Sequence, residues 1–481
     1  MLDELTSNIF FWIALFLIVS VIFTWLMKKF TSAKTYYIGS MYKTTKANPL
    51  FDRFSKHKKF IDFLTTLGLI LGFGLIAVDF LYGKKMNKFK RMGLWIISIL
   101  LLYFVFEFVL RFFLGVPLNS TFVSEEYTKF FGLNLISFVF ALTGFAGFVI
   151  FALALNAIDI ITKTLIGVKA CPGVAPVIPG VEIPNVPLVI PLHAWISLLI
   201  ILIIHEGFHG ITARKEGFEV KSSGLLLLGF LPIGAFVEPN EKEMVKAKPL
   251  KQLKVYAAGP IANLFSILIF RIIVIILLLG LIFPFVTPQV EMIKRDHVIG
   301  VELTEVKEEI SLCGETFESP AYGVIKEGML VKELNGVKIQ INEDLDKAYE
   351  GKKLEDEFLF LVEEDGIEKE FSLKRNKQGI FGATFEEIKG KDYSLFNELF
   401  LFFYYFFFDF FNWLVILSLL VAVVNFLPVE PFDGGRIARV IIPSYFGFWK
   451  ENEKFKEDLI MKALFIGVIL LFVLNALPLF F

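Results

Sequence analysis

The chain has 481 residues, 56% of them hydrophobic and only 20% charged. An ordinary globular chain is nearer a quarter charged, so the composition argues against a soluble protein and fits a polytopic α-helical membrane protein. The net charge of −1, from 48 basic and 49 acidic residues, offers no global attraction for nucleic acid. Two cysteines, Cys171 and Cys313, are too few for a disulfide framework or a cysteine zinc cluster.

Nearly uncharged runs of membrane length predict about eight transmembrane helices, near residues 8–27, 60–82, 92–114, 133–157, 194–214, 255–286, 411–428 and 459–481. The first is too long for a cleaved leader and reads as an anchor. A basic loop, 28–59, follows it. Residues 167–192 are rich in Pro and Gly and predict a loop or extended segment. Residues 224–237, GLLLLGFLPIGAFV, are too short to span and contain Gly and Pro. Irregular backbone survives at membrane depth only inside protein or beside a wet cavity. The segment is therefore either an interfacial loop or a re-entrant strand or hairpin next to a site. Residues 288–390 hold 24 of the 49 acidic residues, and short alternating stretches such as VKELNGVKIQ and FLFLVEE suit a small soluble β-rich domain. The aromatic stretch 394–410, with Glu398 and Asp409, either extends the following span or lies in the interface.

One motif carries chemistry. His205-Glu206-Gly207-Phe208-His209 is an HExxH sequence. On a helix its histidines project from one face and can hold one Zn²⁺, with Glu206 beside them as a general base. The expected number of chance matches in this composition is ~0.003. The motif follows the apolar run Ala194–Ile204, roughly 16 Å of helix, so two imidazoles and a carboxylate lie inside the bilayer. Ionisable groups there are costly and mark functional sites by default. A zinc site that leaves one position for water needs a third protein ligand. His57, His193 and His297 fall in loops or at span ends. The strongest third ligand is Asp433, in Asn425-Phe-Leu-Pro-Val-Glu-Pro-Phe-Asp433-Gly-Gly-Arg436. Two prolines break the helix before it, and two glycines after it allow close backbone approach. Taken alone, the same pattern also describes a turn with Asp433 capping a helix that starts near Arg436.

HEGFH in one span and NFLPVEPFDGG in a later one together resemble the paired signatures of the site-2 protease family of intramembrane zinc metalloproteases. GAFVEP (Gly234–Pro239) and AAGPIANLF (Ala257–Phe265) support the resemblance, and the loop PVIPGVEIPNVPL is similar to that of the family's eukaryotic-like branch. The resemblance covers roughly 170–285 and 390–481. It implies one catalytic Zn²⁺ held by His205, His209 and Asp433, with Glu206 as the catalytic base. It places Asn425 near the substrate, and it leaves Asn263 to helix packing. In the insert, Ser319–Gly336 resembles the core of a PDZ domain, with Asn335-Gly336 as a tight hairpin turn. The expected organisation is N-terminal membrane helices at 1–166, the first part of the catalytic membrane core at 167–287, the PDZ-like domain at 288–390, and the second part of the core at 391–481.

The resemblance implies an endopeptidase that cuts transmembrane segments of membrane-embedded protein substrates, with the PDZ-like domain contacting substrates or regulators. Positive charge after both motifs places those ends near the cytoplasm and the inserted domain outside the cell membrane. The basic loop Lys84–Arg91 runs against that orientation. A membrane metal or ion transporter, with the buried His and Asp as its transport site, is the alternative from another class. Paired broken helices and inverted repeats would mark one, and the sequence shows none. A third reading is an inactive scaffold, which would have no need of Glu206.

Overall fold

The structure is a computed structural model that describes residues 9–31, 33–114, 129–130, 133–181, 183, 186, 189–312, 315–353, 356–376, 379–445 and 453–480. Cys313 and parts of the 167–192 loop lie outside them. Cys171 is disulfide-bonded.

Among the described residues, seven helical stretches are long and apolar enough to cross a membrane. Helix α1 (Ile9–Phe30) coincides with the first expected span; it starts at the edge of the described residues and is not one of the seven. Helices α2 (Lys58–Leu81), α3 (Lys88–Leu114) and α4 (Leu135–Leu165) form an N-terminal group. Helices α2 and α4 cross where Gly74 and Gly144 both adopt positive φ, 56° and 63°. A Cβ on Gly144 would stand 2.4 Å from the Leu71 carbonyl oxygen, so only glycine permits this crossing.

Helix α5 (Ala194–Glu216) carries the HExxH motif and stops at Gly217, whose φ of 90° is the left-handed stop favoured by glycine. Short α6 (Pro249–Tyr256) leads into α7 (Ala258–Leu277), which continues through a π-helical stretch, Leu278–Val286, into α8 (Thr287–His297). The expected 255–286 span is therefore part of a 40-residue helical stretch, Ala258–His297.

The 224–237 segment is a hairpin. Strands β3 (Val220–Leu228) and β4 (Leu231–Pro239) pair antiparallel around Gly229, and they belong to a four-stranded sheet. Strands β1 (Lys34–Tyr36) and β2 (Gly39–Thr44) complete that sheet in the order β1-β2-β3-β4. Residues Gly39 to Thr44 run against Leu228 to Ser223. The segment read as a basic loop thus contributes a second hairpin, and β4 is left as an edge strand.

Beyond α8, strands β5 (Val298–Val306), β6 (Leu330–Leu334), β7 (Val337–Lys338), β8 (Glu357–Glu364), β9 (Ile367–Lys374) and β10 (Ala383–Lys389) form one sheet in the order β9-β8-β6-β5-β10, with β7 on β6. Its core is separate from that of the membrane helices: Val301, Leu303, Val331, Phe358, Phe360 and Val362 are fully buried together. Phe358, Phe360 and Val362 are alternate residues of β8, as the period of a half-buried strand requires. Asn335 and Gly336 both have positive φ, 53° and 80°, giving the tight turn expected between β6 and β7. Helix α9 (Asn342–Tyr349) packs on this sheet. Lys294 of α8 fastens it to the membrane part, with bonds of 2.6 Å each to Glu343 and Glu387 and 3.1 Å to the Tyr405 hydroxyl.

Tyr405 belongs to α10 (Leu395–Asn425), which runs unbroken for 31 residues. The aromatic stretch 394–410 therefore extends a span. Phe402, Phe406 and Phe410, spaced four apart, stack in sequence along it at 5.7 Å. The chain then turns through 426–432 into α11 (Asp433–Ile441), ends that helix in a 3₁₀ turn at Ile442–Tyr445, and closes with α12 (Glu453–Ala476).

Candidate metal centre

Helical spacing sets the first two groups. His205 and His209 lie one turn apart on α5, buried to 4% and 8% exposure, with ring centroids 5.0 Å apart. The third group arrives from the far end of the chain. Helix α11 begins at Asp433 itself and not near Arg436, because the turn before it is folded tightly against the following glycines. A Cβ on Gly434 would lie 2.2 Å from the Phe426 carbonyl oxygen, and one on Gly435 would lie 2.3 Å from the Val429 carbonyl carbon. Any side chain there would push Asp433 away. As folded, Asp433 Oδ2 stands 3.1 Å from Nε2 of both His205 and His209. These three are the group of metal-ligating side chains found among the described residues, with donor atoms within 4.8 Å of one another.

The surroundings fit an ion. Ligands 2.0–2.1 Å from a tetrahedral zinc lie ~3.3 Å apart, close to the 3.1 Å observed. His209 Nδ1 is 2.7 Å from the Val255 carbonyl oxygen. That acceptor keeps the proton on Nδ1 and leaves Nε2 free to ligate. Asn263 of α7 stands 3.0 Å from His205 Nδ1. Its own amide oxygen is buried without a hydrogen-bond partner. Turning the amide over would let that oxygen accept from Nδ1–H, freeing His205 Nε2 in the same way. Gly259 of α7 backs the pair: a Cβ there would lie 2.3 Å from His205 Nε2 and 2.4 Å from His209 Nε2.

Glu206 points elsewhere. Its Oε2 accepts a 3.0 Å bond from the backbone N–H of Val237 on β4. In the sheet Val237 is the register partner of Ser223 on β3, and this N–H is turned to the opposite, unpaired side of β4. The carboxylate thus ties the HExxH helix to the edge strand β4. Asn425, the last residue of α10, turns its amide back to donate to the Val421 carbonyl oxygen at 2.9 Å. Asn263, expected to serve helix packing, does join α7 to α5, and the partner it meets there is a histidine of the centre. The small residues around it, Ala257, Ala258, Gly259 and Ala262, are the signal that α7 approaches α5 closely.

A membrane protein of this architecture, with two histidines and an aspartate gathered between its helices, has the form of a metallopeptidase. Peptidase family M50 matches residues 193–474, more than half of the chain, and the chain belongs to that family. The resemblance drawn from the HEGFH and NFLPVEPFDGG motifs is thereby borne out. An uncharacterized protein of Methanocaldococcus jannaschii is 29% identical over 291 residues, 59% of this chain. The chain spans 65% of the length of that curated relative.

Proposed function

We propose that the protein is a zinc-dependent intramembrane endopeptidase of site-2 type, cutting peptide bonds within transmembrane segments of membrane-embedded proteins. The observation that supports this reading is the His205–His209–Asp433 group, with Glu206 of the same helix bonded to the edge strand β4. Zinc held by those three side chains would supply a Lewis acid that polarises the scissile carbonyl and makes water nucleophilic near neutral pH.

The chain's own residues do the rest. A transmembrane helix satisfies its backbone internally, so a substrate must unwind before it can be cut. The edge of β4 offers N–H and C=O groups that an unwound segment can join as an added strand. A segment docked there lies against Glu206. Glu206 takes a proton from the attacking water and returns it to the departing nitrogen. Asn425, at the end of α10, serves the bound substrate by its amide. The β-rich insert, read as PDZ-like, contacts substrates or regulators on the extracytoplasmic side and sorts what reaches the site.

Glu206→Gln tests the reading. Zinc content should match wild type, and cleavage of a model transmembrane peptide by detergent-purified protein should fall by at least ~10²–10⁴. Undiminished cleavage would remove Glu206 from the chemistry. Glu206-dependent ion flux in liposomes, with no peptide cut by either form, would replace the protease by a transporter.

A further inference from the structure

Helix α2 lies outside the residues matched by the family, 193–474, yet it touches every element that builds the metal centre. Near its start, the Asp62 carboxylate receives both Lys215, from the end of the HExxH helix α5, and Lys254 of α6. One and a half turns on, Gly68 lies against α7: a Cβ there would stand 2.7 Å from Ile261 Cβ. Gly72, a further turn on, faces the Phe426 ring, and a Cβ would come within 2.4 Å of it. Phe426 is fully buried, and its carbonyl is the group that crowds Gly434, next to Asp433. Gly72, Phe426 and Gly434 therefore form a continuous stack from α2 to the aspartate.

At its far end α2 holds the other end of the Asp433 helix. Asp79, 3% exposed, accepts two bonds from Arg91 (2.7 and 2.6 Å), one from the Trp95 indole (2.7 Å) and one from the Tyr445 hydroxyl (2.9 Å). Tyr445 ends the 3₁₀ turn that continues α11. Its neighbour Ser444 takes a 2.6 Å bond from Lys84, just beyond α2. Helix α11 is thus tied to α2 at both ends, while α5 is tied to the same helix through Asp62.

We infer that α2 is the strut that sets Asp433 at its distance from His205 and His209, and that Asp79, acting through Tyr445, is a positioning residue for the metal centre. The inference rests on the proposed reading of Asp433 as a ligand. Arg439 also pairs with Glu457 and Asp458 of α12, and Ile437, Ala438 and Ile441 are buried. The Arg439 pairs are part-exposed, however, whereas Asp79 is buried, and ligand geometry is sensitive to shifts of a few tenths of an ångström. A buried carboxylate with its oxygens fully engaged gives a stiffer anchor than apolar packing, because any sliding leaves a charged acceptor unpaired.

The test is Tyr445→Phe in the full-length protein, which removes the tie to α11 and leaves the Asp79–Arg91–Trp95 bonds in place. Tyr405→Phe, which loses bonds to Lys294 and Glu343 far from the centre, is the matched control. In Tyr445→Phe, zinc affinity should fall about tenfold, within the range seen when groups supporting a metal ligand are removed. Cleavage should lose kcat with KM nearly unchanged, and the amides of Ile437–Ile441 should exchange hydrogen faster with or without zinc. Tyr405→Phe should change none of these. Wild-type zinc affinity and exchange in Tyr445→Phe, or equal effects in the two variants, would overturn the inference. A wild-type protein that binds no zinc would end the protease reading, and hydrogen exchange in the metal-free protein would then decide the strut by itself.

Discussion

Gly259→Ala is the most revealing single change to the proposed metal centre, because it alters no ligand. The added methyl would stand 2.3 Å from His205 Nε2, 2.5 Å from His205 Cδ2 and 2.4 Å from His209 Nε2. Carbon atoms in comfortable contact lie about 3.5–4.0 Å apart, so the imidazoles must retreat by about 1 Å. Metal–ligand distances tolerate only about 0.2 Å. Helix α7 cannot yield instead, since Ala258, Pro260 and Ile261 beside the glycine are buried and Gly68 of α2 presses against Ile261. The overpacking should cost about 1–3 kcal/mol of stability, which leaves the protein folded. Zinc affinity, measured by competition with a chromophoric chelator, should fall by about 10–100-fold or more, the lower bound being the loss seen when a group supporting a ligand is removed. Cleavage of a transmembrane peptide should be lost with it. Zinc binding and cleavage at wild-type levels in Gly259→Ala would refute the placement of the metal between these two nitrogens.

Other outcomes follow from the same geometry. Asp433→Ala should strip most zinc while the protein stays folded in detergent, as total metal analysis would report; full occupancy would send the search to another carboxylate. Asn263→Leu should weaken zinc binding about 10–100-fold, the usual effect of losing a partner that orients a ligating histidine, with binding unchanged if the amide serves packing alone. Val298 and Lys389 are register partners, so a short flexible linker can replace residues 298–389. That variant should keep zinc and basal peptide cleavage and change its selectivity among protein substrates; loss of zinc would make the insert part of the catalytic fold.

What the sequence revealed depended on the range of the interactions involved. The two histidines were legible because helical periodicity is local: an apolar run followed by groups four apart can have one outcome. Asp433 was legible by its company, Pro before and Gly after, although the sequence also allowed a helix starting near Arg436. The tight approach of Gly434 and Gly435 to the preceding turn decides that start, and packing of this kind has no local period. Gly and Pro in a segment too short to span left the β3–β4 region as either an interfacial loop or a re-entrant hairpin, and the strand pairing decides for the hairpin. Strands β1 and β2 gave no such signal, being three and six residues long within a basic segment. Their pairing joins residues 39–44 to 223–228, a distance along the chain that no periodic pattern encodes. The role of α2 was not read from the sequence. Gly68 and Gly72 form a G-x-x-x-G spacing that marks close helix contact, but the sequence does not name the helix on the other side.

If His205, His209 and Asp433 hold a zinc ion that works with Glu206 to cut membrane segments, zinc content and cleavage of a model transmembrane peptide must rise and fall together. Both are measured in one detergent-purified wild-type sample, before and after chelation. The expected result is bound zinc, cleavage within the transmembrane segment, loss of cleavage on chelation, and recovery when zinc is restored. Zinc-loaded wild-type protein that leaves the peptide intact would contradict it.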